Sequence, residues 1–338
     1  MKKYFPILLS KPGELSALAK LSSTAKNEIS PILQVLSGTV EKIEAFSSEW
    51  DFDGNELFLD FSVMDPFVRA TVLNIITHLT SNGVNVVPVV QENSNPRYLA
   101  LVADLVTKGE IERACIRFSN GSGGFLNLNL TIAALLGSLA VRPQQVTILI
   151  DFGLIGSTNY NMTATIASTI INSITDRADY DNIIVSSGSF PNNLGALSPA
   201  GRVYRLPRYE WNVWLVLQSQ PKIRGTIKYS DYGTKYPFYS EANFQGSCSI
   251  KYTTTNDYVI YRGEISGNHR DGNGQYITFA KRLIASADYS GSTFSWGDER
   301  IEFFSTQSIA DLKRKTGNAG SWVEISQNHH MTYLVSLL

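Results

Sequence analysis

Eight short apolar runs, each bounded by turn residues, recur along this chain at nearly constant spacing. They are Tyr4 to Leu9, Pro31 to Leu36, Leu57 to Phe61, Val84 to Val90, Ala114 to Phe118, Val146 to Phe152, Asn182 to Ser186 and Thr226 to Tyr229. Successive starts lie 27, 26, 27, 30, 32, 36 and 44 residues apart, which leaves room for one helix and two loops each time. The intervening segments carry helical stripes. Leu15, Leu18, Ala19 and Leu21 form one; Val68, Val72, Leu73, Ile75, Ile76 and Leu79 form another, stopped by Asn82-Gly83. Further stripes run over Leu99 to Val106, Leu130 to Leu139 and Ile166 to Ile174, and through Trp211, Trp214, Leu215 and Leu217. Strands apolar on both faces that alternate with amphipathic helices require a parallel sheet covered by helices. Eight of them predict an α/β fold of the (β/α)8 TIM-like barrel type. A doubly wound open sheet is the alternative, but Ser10-Lys11-Pro12-Gly13-Glu14 stands where its Gly-rich phosphate fingerprint would follow the first strand.

After Asp231 the rhythm changes to Gly- and Tyr-rich loops, a hairpin from Ser249 to Thr253 and Tyr258 to Arg262, and a helix from Ile277 to Ala287. The expectation is a single domain over 1–338. Residues 1–231 supply the barrel, and 232–338 supply a rim insertion, the closing helix and a C-terminal elaboration. The chain has 338 residues, enough for about three quarters of the unfolded surface to be buried. With 43% apolar residues it is not intrinsically disordered, and with 29 Lys plus Arg against 30 Asp plus Glu it has no basic excess for extended nucleic-acid binding. Two cysteines, Cys115 and Cys248, make neither a disulfide framework nor a zinc or redox motif, which fits a reduced cytoplasm. The opening apolar stretch is short and broken by Pro6 and Lys11, so it reads as a strand rather than a leader. No apolar run approaches the roughly 20 residues of a membrane helix.

Particular segments carry a family resemblance. The first runs Tyr-Phe-Pro-Ile-Leu-Leu-Ser-Lys-Pro-Gly-Glu-Leu from Tyr4, followed by Ser30-Pro31-Ile32-Leu33-Gln34-Val35. Leu59-Asp60-Phe61, Ile150-Asp151-Phe152, Ser187-Gly188-Ser189-Phe190-Pro191, Arg205-Leu206-Pro207-Arg208-Tyr209-Glu210-Trp211 and Tyr229-Ser230-Asp231-Tyr232-Gly233 extend it over nearly the whole chain. Together they resemble the bacteriophage beta-protein family, found in phages and bacterial genomes. The resemblance implies a setting of phage–host conflict and antiviral defence, and brings no catalytic residue with it.

In a parallel barrel, reactive groups come from the C-terminal ends of strands. Those ends offer Lys11 and Glu14, Asp60, Gln91, Arg117, Asp151, Ser187 and Ser189, and Asp231. If they converge, Asp60, Asp151 and Asp231 could ligate Mg²⁺ or Mn²⁺ or supply a general base, while Lys11 and Arg117 clamp a phosphate. The competing reading is a salt-bridge ring that closes the barrel. Arg208, Glu210 and Tyr232 join the ligand-binding set, with Arg208 expected to face the mouth and Trp211 to pack behind it. Trp214 reads as a core anchor, His329-His330 as solvated or helix-capping, and Asp271-Gly272-Asn273-Gly274-Gln275 as a tight turn. The tyrosines from Tyr229 to Tyr261 could line a ligand mouth or a protein-partner surface. Two functions follow: a barrel that binds a phosphate-containing ligand or nucleotide at its mouth and hydrolyses it with a divalent cation, or a non-enzymatic scaffold in a defence-related protein complex.

Overall fold

The computed structural model describes residues 2–50, 52, 54–64, 67–119, 125–239, 246–311 and 315–338. In chain order the elements are β1 (Ile7–Leu9), α1 (Pro12–Ala19), α2 (Ser23–Glu28), β2 (Ile32–Gln34), α3 (Val40–Ser47), β3 (Glu56–Asp60), α4 (Arg69–Ser81), β4 (Asn85–Val90), α5 (Pro96–Thr107), β5 (Ala114–Ser119) and α6 (Leu128–Leu139). There follow β6 (Val146–Leu154), α7 (Tyr160–Ser173), β7 (Asn182–Gly188), β8 (Val203–Pro207), α8 (Tyr209–Gln218), β9 (Lys228–Ser230), β10 (Ser247–Thr253), β11 (Asp257–Ile265), α9 (Gln275–Ile284), α10 (Trp296–Ser305) and α11 (Ala319–Leu337). They fall into two compact units. The first contains residues 1–11, 27–189 and 209–232; the second contains 12–26, 190–208 and 233–338.

The first unit is the expected (β/α)8-type barrel. Its eight strands run in the order β1-β2-β3-β4-β5-β6-β7-β9, every pair parallel. Closure comes from the bridge between Tyr4 and Tyr229 and from Phe5 N and Ile7 N, which donate to the carbonyl oxygens of Tyr229 at 2.9 Å and Asp231 at 2.8 Å. Register fixes what points inward. One oblique row of paired residues reads Gln34, Asp60, Val89, Cys115, Thr147 and Asn182; the next reads Arg117, Leu149, Ile184 and Lys228; a third reads Asp151, Ser186 and Ser230. The middle of the barrel is apolar, built from Phe5, Ile7, Ile32, Phe58, Val87, Val89, Cys115, Leu149, Ile184 and Tyr232. The inward positions toward the C-terminal strand ends are polar, as are Glu56, Asn182 and Lys228 at the other end. The fully buried aliphatic side chains of this layer contribute roughly 1.5–3 kcal/mol each.

The second unit is built on an antiparallel sheet in the order β10-β11-β8. The expected hairpin is β10 and β11. β8 is an element the sequence reading leaves inside a loop. One sheet face places Ile250, Tyr252, Val259 and Tyr261 against Tyr276, Phe279 and Leu283 of α9, Ile301 and Phe304 of α10, and Trp322 and Ile325 of α11. The helix expected to close the barrel is α9, and its apolar stripe is buried in this core. The other face packs Tyr258 and Ile260 on Phe190, Leu194 and Leu197. The first connection of the chain also belongs here: Ser16 donates to Glu324 at 2.6 Å, and Asn328 donates to the carbonyl oxygen of Ala17 at 3.0 Å, fastening α1 to α11. At Gly263 a Cβ would lie 2.0 Å from the carbonyl oxygen of Cys248 and 2.8 Å from Gln275 Oε1, so only glycine fits this strand position.

Candidate site at the C-terminal end of the barrel

Asp60 closes β3, Arg117 lies near the end of β5, and Asp151 lies in β6. The register turns all three inward, where they meet. Arg117 donates from Nε to Asp151 Oδ2 at 3.0 Å, from Nη2 to the same oxygen at 2.5 Å, and from Nη1 to Asp60. Tyr232 completes the cluster: its hydroxyl accepts from Arg117 Nη2 at 3.0 Å and donates to Asp151 Oδ2 at 2.6 Å. The remaining carboxylate oxygens accept backbone N–H groups, Asp60 Oδ1 from Ser62 and Asp151 Oδ1 from Gly153, both at 2.9 Å. All four side chains are buried. Burial works against the Arg117 charge, but Tyr232, Asp151 and Asp60 outweigh it and hold the guanidinium well above its ordinary pKa. Burial, reinforced by Asp151, likewise raises the Tyr232 phenol well above its usual range, so it stays a donor. A buried pair of this kind is costly to break, because the partner left behind carries an uncompensated charge.

Asp231 belongs to a different cluster. Its Oδ1 accepts from Tyr4 at 2.5 Å and its Oδ2 from Tyr229 at 3.0 Å, and the two phenol rings lie 5.8 Å apart. The three aspartates therefore do not gather on one cation. Among the described residues, no group of three or more His, Cys, Asp and Glu side chains could hold a metal ion. Ser189 donates to Glu210 and accepts from Tyr209 N at 3.3 Å, so these residues tie the end of β7 to the start of α8. Ser187 is buried and Lys11 is exposed. Glu14 is buried in the second unit, where its charge acts on Lys251.

Arg208, expected at the mouth as an anion clamp, is instead fully buried. Its Nη1 donates to the carbonyl oxygens of Thr254 at 3.0 Å and Thr255 at 3.2 Å, and its own N–H donates to Asn256 O at 2.8 Å. It braces the turn between β10 and β11. Trp211 and Trp214 flank Tyr229 edge-on, with ring centres at 5.5 and 5.4 Å, and act as packing anchors. The expected tyrosine surface is largely core, since Tyr229, Tyr232, Tyr252, Tyr258 and Tyr261 are all buried. The histidine pair is not solvated or capping either. His329 and His330 are buried within α11; His329 Nδ1 lies 2.8 Å from Asp298 Oδ2 and Nε2 lies 2.9 Å from Thr253 O, while His330 Nδ1 lies 2.8 Å from Thr253 Oγ1. Asp298 also accepts from Tyr252 at 2.7 Å and Ser295 at 2.5 Å.

Sequence reasoning missed Gln34, which the register places beside Asp60 and whose buried Oε1 has no hydrogen-bond partner among the described residues. A polar residue in phase with Ile32 at the end of a buried run is the signal that could have found it.

No curated protein matches this sequence. Among solved structures, the chain is similar to a triosephosphate isomerase from Bartonella henselae, with 9% identity, 68% of this chain and 92% of that one covered, and a TM-score of 0.35. It is also similar to a GH128 (subgroup I) endo-beta-1,3-glucanase from Amycolatopsis mediterranei in complex with laminaritriose, with 10% identity, 55% and 88% covered, and a TM-score of 0.33. The family described as Beta protein matches residues 4–336, nearly the whole chain, and the chain belongs to that family.

Proposed function

We propose that this chain is a non-enzymatic interaction module, working in the phage–host setting that its family resemblance implies, and that its barrel is the scaffold. The observation that carries this reading is the engagement of both inward carboxylates, Asp60 and Asp151, by the single buried guanidinium of Arg117. A metal-dependent hydrolase needs carboxylate lone pairs available to a cation beside an open reaction space. Here those lone pairs serve Arg117, Tyr232 and two backbone amides, and Asp231 serves two tyrosines. For partner contact the barrel offers exposed apolar side chains: Leu126 in the turn before α6 and Leu130 within that helix, and Met162 and Ile166 one helical turn apart on α7.

The test is calorimetric titration of the full chain with Mg²⁺ and with Mn²⁺, together with a phosphate-release assay on nucleoside triphosphates. The expected result is no saturable cation site at the barrel mouth and no release above background. Saturable binding that Asp60→Asn or Asp151→Asn abolishes, with the circular dichroism spectrum unchanged, would return the mouth to the hydrolytic reading.

A further inference from the structure

At the opposite, N-terminal end of the barrel strands lies a cavity of about 530 Å³, within the size range of small-molecule sites. Its charged lining consists of Lys2, Arg113, Arg177 and Lys228 against Glu56 and Asp181. The two carboxylates are already engaged. Arg113 bridges them, reaching Asp181 Oδ2 at 2.9 Å and pairing with Glu56, and Asp181 Oδ2 also accepts from Thr147 at 3.1 Å and from Asn182 at 2.9 Å. Arg177 is anchored through the carbonyl oxygens of Ile171 at 3.2 Å and Lys222 at 2.8 Å, which fixes its guanidinium without cancelling its charge. Lys2 and Lys228 are half-buried. Desolvation lowers the pKa of each despite Glu56 and Glu28 near Lys2, and Asp181 and Glu28 near Lys228. Positive charge is thus concentrated from three separate stretches of chain around one hollow. Thr226, Asn182 and the Tyr180 ring lie at its wall.

We propose that this cavity binds a phosphorylated small molecule of nucleotide size, with Lys2, Arg177 and Lys228 taking the phosphate oxygens. Several phosphate oxygens can meet cations arriving from different directions at once, each through a charge-assisted hydrogen bond. The cavity lies at the end of the barrel remote from Arg117, and none of the Arg117 cluster lines it.

The test uses inorganic pyrophosphate and ADP as probes, titrated into the full chain without divalent cations. Both are expected to bind, more weakly as salt is raised. Lys2→Gln and Lys228→Gln should each weaken binding about tenfold, the loss of one charge-assisted hydrogen bond. Neither should lower the melting temperature of the unliganded protein. Lys281→Gln, on the exposed side of α9, should change nothing. Should one lysine variant fail to fold, the other carries the test. The proposal is overturned if neither probe binds at millimolar concentration, if the folded lysine variants bind as well as the parent, or if Lys281→Gln weakens binding equally.

Discussion

Lys251 donates to the carbonyl oxygen of Thr234 at 3.0 Å, and its ammonium lies 4.5 Å from the centre of the Phe190 ring. Burial lowers its pKa from the ordinary 10.5 to about 8, with Glu14 pulling partly the other way. Between these two values the unfolded chain holds the proton more firmly than the folded one, so stability rises as pH climbs from about 8 to 10.5. Below about 8 the penalty is fully present. Lys251→Met should therefore be more stable than the parent at pH 7, by at most about 3 kcal/mol, with the difference shrinking toward pH 10. Urea unfolding of both proteins across that range checks it, and parallel pH profiles would show that the amine is not strained by burial. Arg208 behaves in the opposite sense. Removing its guanidinium leaves the carbonyl oxygens of Thr254 and Thr255 without their donor, and Arg208→Ala should cost about 2–4 kcal/mol. Retained stability would mean that the turn satisfies those carbonyls by other means.

Among the elements, α8 draws its hold on the barrel from aromatic packing. Trp211 is buried edge-on against Tyr229, and Trp211→Ala should destabilise by about 3–5 kcal/mol in equilibrium unfolding. The parallel strands were legible in the sequence because buried parallel strands are continuous apolar runs and their helices carry a clear stripe. β8 was not, although Val203-Tyr204-Arg205-Leu206-Pro207 alternates exposed with half-buried residues; five residues ending in proline read equally well as a loop. α11 was hidden for a different reason. Its buried side includes Ser326, Gln327, Asn328, His329 and His330, so no apolar stripe marks it, and its partners lie far away in sequence. The same holds for the mouth. That Asp60, Arg117 and Asp151 stand at strand ends could be read directly; that they satisfy one another depends on register and barrel closure, which no local pattern encodes.

For the whole molecule, the two polar ends of the barrel differ in how their charge is balanced. At the C-terminal end two carboxylates share one guanidinium, with Tyr232 and backbone amides absorbing the excess negative charge. At the N-terminal end cations outnumber carboxylates around an open hollow. No helix among the described residues is long and apolar enough to cross a membrane. That Asp60 and Asp151 at the C-terminal end are spent as the counter-ions of Arg117 is the reading on which the proposed function rests. It is tested most directly by comparing the unfolding free energies of Arg117→Met and of the triple variant Arg117→Met, Asp60→Asn, Asp151→Asn. The single change strands two buried carboxylates and should cost about 3–5 kcal/mol, whereas neutralising them in the triple variant should recover most of that loss. A single variant as stable as the parent, or a triple variant no better than the single, would contradict the account.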